Sequence, residues 1–211
     1  MAVGVDISAN RSRLIDSLTG RICDSAVLKA MRCVPRENFL NESLLLHAYD
    51  DNALPIGFSQ TTSQPFVIAR MLEMMLSGKK SANVLEIGAG NGYQSALLSL
   101  LCERVFCVER IRALADATGR RLVAMGYNNV VMIHGDGLGG DVQGAPYDGI
   151  VVCAESADIS SSLVAQLSPN GRLVMPLIES NDVRLTVINA CGKIIRRCER
   201  VNFVPLTGGK A

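Results

Sequence analysis

The sequence predicts an α/β fold with a mostly parallel, twisted sheet and helices on both of its faces. Two observations lead to this prediction. Short aliphatic runs of strand length alternate with segments of helical periodicity between residues 83 and 178. The first run leads directly into a cluster of glycines, and the next two end at acidic residues. Strands that are joined in this way by helices pair in parallel through right-handed crossovers.

The N-terminal part is predicted to hold helices on either side of a loop. Apolar residues recur at helical spacing from 8 to 33, with Gly20 as a break. Residues 34–65 show little periodicity and hold three of the seven prolines. We therefore expect a long ordered loop there, and such loops often carry function. A helix is predicted over 66–76, with Pro65 in its first turn.

The central part carries the alternating pattern, and the C-terminal part departs from it. The predicted central strands are 84–87, 105–109, 130–136, 147–154 and 171–177. The predicted central helices are 93–101, 111–125 and 159–167. Two further strands, 183–188 and 193–206, flank an Ala-Cys-Gly turn and predict an antiparallel hairpin at the sheet edge. We expect one domain over 1–211, with an N-terminal helical extension and loop (1–82), a core (83–178) and the hairpin (179–211).

Composition and charge exclude several classes of protein. The 211 residues are 48% hydrophobic, 19% charged and 4% aromatic, as in a globular domain. A formal net charge of +1 gives no field that would recruit nucleic acid or an anionic membrane. Charged residues precede any apolar run at the N-terminus, so we expect no signal peptide and a cytoplasmic location. The seven cysteines contain no C-x-x-C pair and there are two histidines, so no metal site is expected.

A glycine-rich loop follows the first central strand in the order Glu86-Ile87-Gly88-Ala89-Gly90-Asn91-Gly92. Glycines at that place let a ligand approach the backbone and the next helix N-terminus closely. The dinucleotide pattern G-x-G-x-x-G requires glycine at position 93, where this chain has tyrosine. The Glu86 carboxylate would repel a pyrophosphate but suits the cationic methionine end of S-adenosylmethionine. A plain tight turn is the structural alternative.

Two more strand ends complete a nucleoside-shaped site, because ligands bind at the carboxyl ends of parallel strands. Glu109 ends the second strand, where a carboxylate can accept from both ribose hydroxyls. Its alternative is one half of an exposed ion pair with Arg110. Asp136 and Gly137 follow the third strand, and Asp136 can accept from the adenine amino group. Its alternative is a simple Asp-Gly turn.

Several motifs spread over nearly the whole chain resemble the protein-L-isoaspartate O-methyltransferase family. They are VPRENF (34–39), ALPIGFSQTTSQP (53–65), VLEIGAGNGYQSALL (84–98), VERI (108–111), HGDG (134–137), APYDGIVV (145–152), GRLVMP (171–176) and FVPL (203–206). The glycine loop is shared across methyltransferases in general. The loop at 53–65 together with VPRENF is close to family-specific.

The resemblance implies a Rossmann-like, S-adenosylmethionine-dependent methyltransferase. Such an enzyme methylates the free α-carboxylate of L-isoaspartyl residues in damaged proteins and leaves S-adenosyl-L-homocysteine as product. The ester then collapses to a succinimide, which can reopen to normal aspartate, so the reaction initiates repair. The implied partners are isoaspartyl-containing proteins and peptides, with no nucleic acid and no membrane. A monomer is the expected state.

The resemblance also implies roles for individual residues. The active-site serine of the family falls on Ser63, and the substrate loop covers Gln60, Thr61, Thr62 and Ser63. The implied cofactor-binding residues are Glu86, Ile87, Gly88, Ala89, Gly90, Gly92, Glu109, Arg110, Asp136 and Gly137. A carboxylate acceptor with a pKa near ~4 is already ionised at neutral pH and needs no general base. Ser63 would therefore orient the acceptor, although a helix N-cap before Pro65 is its structural alternative.

Three positions depart from the family pattern. Ser59 stands where the family usually has glycine, Glu155 where it has a small uncharged residue, and Leu177 where glycine tends to follow Pro176. A carboxylate at 155 is expected near the reacting centre, where it would repel an anionic acceptor. Ser59 and Glu155 favour a second interpretation, a divergent enzyme that methylates another peptide or small-molecule acid. A third is a module that binds S-adenosylmethionine without turnover, against which an intact Ser63 argues.

Overall fold

The structure is a computed structural model that describes residues 7–78, 81–180 and 182–211. Its strands are β1 (Leu54–Gly57), β2 (Gln60–Thr62), β3 (Ser81–Ile87), β4 (Cys102–Glu109), β5 (Val130–His134), β6 (Tyr147–Val152), β7 (Leu167–Glu179), β8 (Asp182–Asn189) and β9 (Ile194–Arg200). Its helices are α1 (Ile7–Leu18), α2 (Ser25–Cys33), α3 (Pro65–Leu76), α4 (Tyr93–Leu101), α5 (Arg112–Ala124) and α6 (Ser161–Ala165). The predicted α/β class with a mostly parallel sheet is confirmed.

The main sheet of the described chain has seven strands in the order β5-β4-β3-β6-β7-β8-β9. The strands from β5 to β7 pair in parallel, whereas β8 and β9 add an antiparallel hairpin at the edge, as predicted. The strand order reverses between β3 and β6, where Ile87 is level with Val152. On its other side Ile87 is level with Val108 of β4. The loops after β3, β4 and β6 therefore meet at one edge, where α/β sheets bind ligands.

Successive strand residues face two separate apolar clusters, one on each side of the sheet. Val84, Val151 and Val174 are fully buried in the cluster that α1 to α4 cover. Leu85 and Ile150, one residue along the chain from Val84 and Val151, are buried in the opposite cluster, which α6 covers. Side chains alternate between the faces of a strand, so a strand buried on both sides reads as a continuous aliphatic run.

The N-terminal helical prediction is confirmed as two helices separated near Gly20, which has a φ of +86°. The second helix begins at Ser25 because Asp24 caps it. The Asp24 carboxylate accepts from the backbone N–H of Ala26 at 2.9 Å and of Val27 at 3.4 Å. Helix α3 begins at Pro65, as predicted.

The loop at 34–65 contains more regular structure than its sequence predicts. Two short 3-10 helices cover Arg36–Phe39 and Glu42–His47, and β1 and β2 form a small antiparallel hairpin. Phe58 and Ser59 make the hairpin turn with φ values of 53° and 55°. Two-residue hairpin turns need such positive φ angles, which glycine and asparagine usually supply. The Phe-Ser turn contains neither residue, so the sequence does not predict this hairpin.

The chain leaves the last strand earlier than predicted. The predicted strand 193–206 ends at Arg200, and residues 201–211, here called the C-terminal tail, cross the carboxyl edge of the sheet. Backbone hydrogen bonds join the tail to the loop after β6: Glu155 N–H donates to Val204 O at 2.9 Å and Leu206 N–H donates to Glu155 O at 2.8 Å. Within the described residues, no helix combines the length and apolarity needed to cross a bilayer.

Candidate functional site

A cavity lies at the carboxyl edge of the parallel strands and encloses about 810 Å³ of space, including the solvent at its open mouth. The glycine loop, the ends of β4 and β6, the β1–β2 hairpin and the C-terminal tail form its walls. The predicted residues that line it are Gln60, Thr61, Thr62, Ser63, Glu86, Ile87, Gly88, Ala89, Gly90, Glu109, Arg110 and Gly137. The structure therefore brings the predicted cofactor and substrate residues to one site, apart from Gly92 and Asp136.

The glycine loop is held too tightly for larger residues at two positions. Gly90 has a φ of +55°, and a Cβ there would lie 3.0 Å from Ile56 Cδ1 of the hairpin. Gly92 has a φ of +88° at the start of α4, and a Cβ there would lie 2.7 Å from Thr118 Cγ2. Gly90 lines the cavity, whereas Gly92 lies behind it and fits the loop against α5. Its direct contact with a cofactor stays a prediction.

Glu86 lines the cavity and has one buried carboxylate oxygen without a partner among the described residues. The residue is 0% exposed, and its Oε2 accepts from Ser95 Oγ and from Cys107 Sγ. Its Oε1 has no hydrogen-bond partner within the described chain. Burial raises the pKa of Glu86 to about 7, although the hydrogen bonds from Ser95 and Cys107 oppose the shift. An orphaned carboxylate oxygen in a dry wall fits a cationic N–H donor.

Glu109 is 5% exposed and lines the cavity, so the alternative of an exposed ion pair with Arg110 is wrong. Its Oε2 accepts from Gly90 N at 3.0 Å and its Oε1 from Ile111 N at 2.9 Å. These backbone bonds fix the carboxylate between the glycine loop and α5. Each oxygen keeps a further acceptor site for a ligand hydroxyl.

Asp136 forms the Asp-Gly turn that was the alternative to a contact with adenine. Its Oδ1 accepts from Leu138 N at 2.9 Å, and its Oδ2 accepts from Gly209 N of the tail at 2.7 Å. These two bonds lower the pKa of Asp136. Gly137 lines the cavity, whereas Asp136 does not. A contact between Asp136 and adenine stays a prediction.

Ser63 lies in the wall of the cavity with a free hydroxyl. Residue Gln64, not Ser63, is the N-cap of α3, and the first free N–H of that helix, at Phe66, is bound by Asp51 Oδ1 at 2.8 Å. The N-cap alternative for Ser63 is therefore wrong. Its hydroxyl makes no hydrogen bond within the part of the chain that the structure describes, whereas its carbonyl accepts from Arg36 at 3.2 Å.

A second cavity, which encloses about 700 Å³ of space including the solvent at its mouth, adjoins the first. The residues that line both are Thr61, Ser63, Cys153 and Val204. The others that line the second are Asn52, Ala53, Gln64, Val67, Arg200, Val201, Asn202 and Phe203. Ser63 thus belongs to the walls of both cavities, so its side chain lies beside a group bound in either of them.

Cys153 is a site residue that the sequence did not single out. Gln94 Nε2 donates to its Sγ at 3.0 Å, and burial raises the pKa of the thiol well above its ordinary value. The thiol is therefore neutral at physiological pH. Its position directly after β6, at the strand-order reversal, is the signal that points to it.

Glu155 does not occupy the place that its sequence position suggested. It lines neither of these cavities, and its Oε2 faces the backbone N–H of Phe203 at 3.4 Å. The expectation that this carboxylate lies at the reacting centre is wrong, because the tail crosses the sheet edge beside it and takes up its hydrogen bonds. Leu177, the third departure, is 5% exposed in the apolar core.

The C-terminal tail supplies one wall of the first cavity, at a place where the sequence predicts the end of a strand. Its contribution is Val204, Pro205, Leu206 and Thr207. Beyond them Gly209 is bound to Asp136, and Ala211 bonds with its N–H to Arg110 O at 2.8 Å and with its carbonyl to Arg112 N at 2.7 Å. The FVPL motif was visible in the sequence, but its apolar character does not distinguish a strand from a cavity wall.

The chain is similar in sequence to one family throughout. It matches the model of the family described as Protein-L-isoaspartate(D-aspartate) O-methyltransferase (PCMT) over residues 9–211. A protein-L-isoaspartate O-methyltransferase from Aromatoleum aromaticum is 46% identical over 205 residues, which are 96% of this chain and 94% of the relative. One from Pseudomonas paraeruginosa is 45% identical over 202 residues, which are 94% and 96% of the two chains.

Solved structures share the fold. A protein-L-isoaspartate O-methyltransferase from Plasmodium falciparum, solved with S-adenosyl-L-homocysteine, superposes with a TM-score of 0.81 at 24% identity and covers 94% of this chain and 98% of its own. Another structure of that enzyme name has a TM-score of 0.83 at 27% identity, covering 94% and 66%. Because the family model and the relatives above 40% identity span nearly all of it, the chain belongs to the protein-L-isoaspartate(D-aspartate) O-methyltransferase family.

Proposed function

We propose that this protein transfers a methyl group from S-adenosylmethionine to the free α-carboxylate of L-isoaspartyl residues in damaged proteins, which initiates their repair. The observation that carries the proposal is the free Ser63 hydroxyl at the junction of the two cavities. The names of the relatives support the substrate, and the product bound in the Plasmodium falciparum structure supports the cofactor.

The residues of the first cavity fit S-adenosylmethionine. Glu86 would hold the cationic methionine end through its unpartnered oxygen, and Glu109 would accept from the ribose hydroxyls. Gly88 and Gly90 allow the close approach, and Leu114 and Leu206 are among the apolar walls. When bound, the sulfonium supplies an activated methyl group with a good leaving group.

The second cavity would take the acceptor peptide. The acceptor carboxylate has a pKa near ~4, so it arrives ionised and the protein has no proton to remove. Ser63 would donate to one carboxylate oxygen and so direct the other towards the methyl group. The neutral Cys153 thiol beside it does not repel an anion. The contribution of the chain is therefore orientation and exclusion of water.

The test is methyl transfer from radiolabelled S-adenosylmethionine to matched peptides that contain L-isoaspartate or L-aspartate. Wild type should place base-labile label on the isoaspartyl peptide alone. Ser63→Ala should lower kcat/KM by about 10- to 100-fold because one hydrogen bond to a charged group is lost. Ser63→Thr keeps the hydroxyl and is the matched control. Label on neither peptide, with binding of S-adenosyl-L-homocysteine intact, would show that this acceptor is wrong and that another acid must be sought.

We further propose that residues 1–211 act as one domain and as a monomer in the cytoplasm, on proteins and peptides rather than nucleic acid or membranes. The formal net charge of +1 supports the choice of partner. The seven cysteines are free, which suits a reducing compartment. Light scattering of the purified protein tests the monomer, and a concentration-dependent dimer mass would contradict it.

A further inference from the structure

Arg36 is a fully buried cation whose partners are backbone carbonyls. Its exposed fraction is 0%. One terminal nitrogen donates to Ala48 O at 2.9 Å and Asp50 O at 3.3 Å, and the other donates to Asn52 O and Ser63 O, both at 3.2 Å. One guanidinium thus ties four points of the segment from 48 to 63 together, including the carbonyl of Ser63 itself.

Such a cation is costly to bury. Burial lowers the pKa of Arg36, and the ion pairs found within the described residues do not include it. Hydrogen bonds from a charged donor, which are stronger than those between neutral groups, offset the loss of hydration. An apolar side chain would fill the space without that cost, but it would leave the carbonyls of Ala48, Asn52 and Ser63 unbound, whereas Asp50 O also accepts from Asn52 N at 2.8 Å. What Arg36 adds over an apolar residue is a fixed geometry of this segment.

The same 3-10 helix, Arg36–Phe39, also holds the glycine loop. Asn91 Nδ2 donates to Phe39 O at 2.8 Å. The rings of Phe39 and Tyr93 pack edge to face with centroids 5.7 Å apart, and the Arg36 guanidinium lies 5.8 Å from the Tyr93 ring centroid. One short helix therefore contacts the glycine loop on one side and the segment from 48 to 63 on the other.

We propose that Arg36 is a positioning residue that sets the place of Ser63 relative to the glycine loop, and so the distance between the acceptor carboxylate and the methyl group. The inference rests on the proposed function of Ser63. Without the guanidinium, residues 48–53 would be an unbraced loop, and the β1–β2 hairpin and Ser63 that follow it would be free to shift by an ångström or more. Displacements of about 1 Å at a reacting centre cost on the order of 100-fold in rate.

The experiment compares Arg36→Lys and Arg36→Gln with Arg70→Lys as a matched control. Arg70 is another largely buried arginine, but its partners are Glu73 and Glu199, away from the two cavities. For each folded variant, the melting temperature, the Kd for S-adenosyl-L-homocysteine, and kcat and KM for an isoaspartyl peptide are measured.

Both Arg36 variants should bind S-adenosyl-L-homocysteine within about threefold of wild type, while kcat/KM for the peptide falls about 10- to 100-fold. Arg36→Lys should retain more activity than Arg36→Gln, because lysine keeps a charged donor for some of the carbonyls. Arg70→Lys should lower the melting temperature and leave Kd, KM and kcat per folded protein within about twofold. Equal losses of cofactor affinity and peptide turnover, or no loss of either, would overturn the inference.

Hydrogen exchange supplies a readout that needs no activity, and its first part, on the wild-type protein, needs no folded variant. In the wild-type protein, the hydrogen-bonded amides of Ala48 and Asp50 should exchange as slowly as those of α2. Arg36→Lys should accelerate them about tenfold or more and leave α2 unchanged. Exchange at free-loop rates in wild type would overturn the inference even if no variant folds. If the wild-type protein does not methylate the peptide although these amides are protected, the result would count against the proposed function alone.

Discussion

Glu86 is a buried carboxylate whose surroundings favour its neutral form. One oxygen accepts from Ser95 and Cys107 and the other has no partner within the described chain. Its pKa is about 7 in the folded protein against an ordinary value of 4.5. The folded state therefore binds the proton more tightly than the unfolded state does. The penalty for ionising Glu86 is absent below about pH 4.5 and complete above about pH 7.

Glu86→Gln should therefore stabilise the cofactor-free protein at pH 8. The gain in the free energy of unfolding should approach about 3 kcal/mol, because the penalty for ionisation disappears. Near pH 4.5 the variant and wild type should differ much less. Urea unfolding at both pH values measures this, with Glu42→Gln at an exposed position as the control. A variant that is less stable than wild type at pH 8 would contradict the assignment of a raised pKa.

The same substitution should weaken cofactor binding. If the ionised Glu86 holds the cationic end of S-adenosylmethionine, wild-type affinity for S-adenosyl-L-homocysteine should fall as the pH drops below about 7, by at most about tenfold per unit. Glu86→Gln should lose about 10-fold or more in affinity at pH 8, and its affinity should vary little with pH. Calorimetric titration from pH 5.5 to 8.5 measures both profiles. Identical profiles would remove Glu86 from the cofactor site.

At the scale of elements, the strands were predictable and two of the cavity walls were not. The strands that are buried on both faces read as aliphatic runs, so β3 and β6 could be placed from the sequence. The β1–β2 hairpin could not, because Phe58 and Ser59 adopt positive φ in a turn without glycine. The tail could not either, since a segment that lines a cavity is as apolar as a strand.

The Phe-Ser turn should be strained but should not set the acceptor. Ser59→Gly removes a side chain from the left-handed region and should raise the free energy of unfolding by about 0.5–1 kcal/mol. Ser59 lines neither of the two cavities, so discrimination between isoaspartyl and aspartyl peptides should stay unchanged. Chemical unfolding and the two-peptide assay check this. A changed acceptor preference would restore Ser59 as a specificity determinant.

The end of the tail should strengthen cofactor binding although it does not line the cavity. Deletion of residues 208–211 removes the bonds of Gly209 to Asp136 and of Ala211 to Arg110 and Arg112, but leaves the lining residues 204–207. The bond from Arg110 Nε to Gly209 O at 3.4 Å is lost as well, and four lost hydrogen bonds predict a fall of about 2–4 kcal/mol in the free energy of unfolding. The Kd for S-adenosyl-L-homocysteine should rise about tenfold through faster dissociation, because the wall must then be ordered on binding. Stopped-flow dissociation measures it, with Lys210→Ala as the control.

At the scale of the whole molecule, the residues of the site come from distant parts of the chain and meet only through the fold. The topological rule for parallel sheets was enough to bring Glu86, Glu109 and Gly137 together, because each lies within a few residues of the carboxyl end of a strand. No such rule reveals that Asp136 is bound by Gly209, since that contact joins two loops 73 residues apart. Ser63 could be identified as a site residue only through the family resemblance. Its environment depends on side chains such as Arg36, and a hydrophobic periodicity does not reveal their contacts.

A cofactor cavity built from the hairpin, the sheet and the tail should respond to its ligand as one cooperative unit. S-adenosyl-L-homocysteine at 100 times its Kd should add about 2.7 kcal/mol to the free energy of unfolding. For a chain of this length, that corresponds to a rise of about 5–10 °C in melting temperature. Scanning calorimetry should show a single transition that moves as a whole, and Glu86→Gln should shift less at equal ligand concentration. Two transitions, of which one moves, would instead divide residues 1–211 into separate domains and confine the site to one of them.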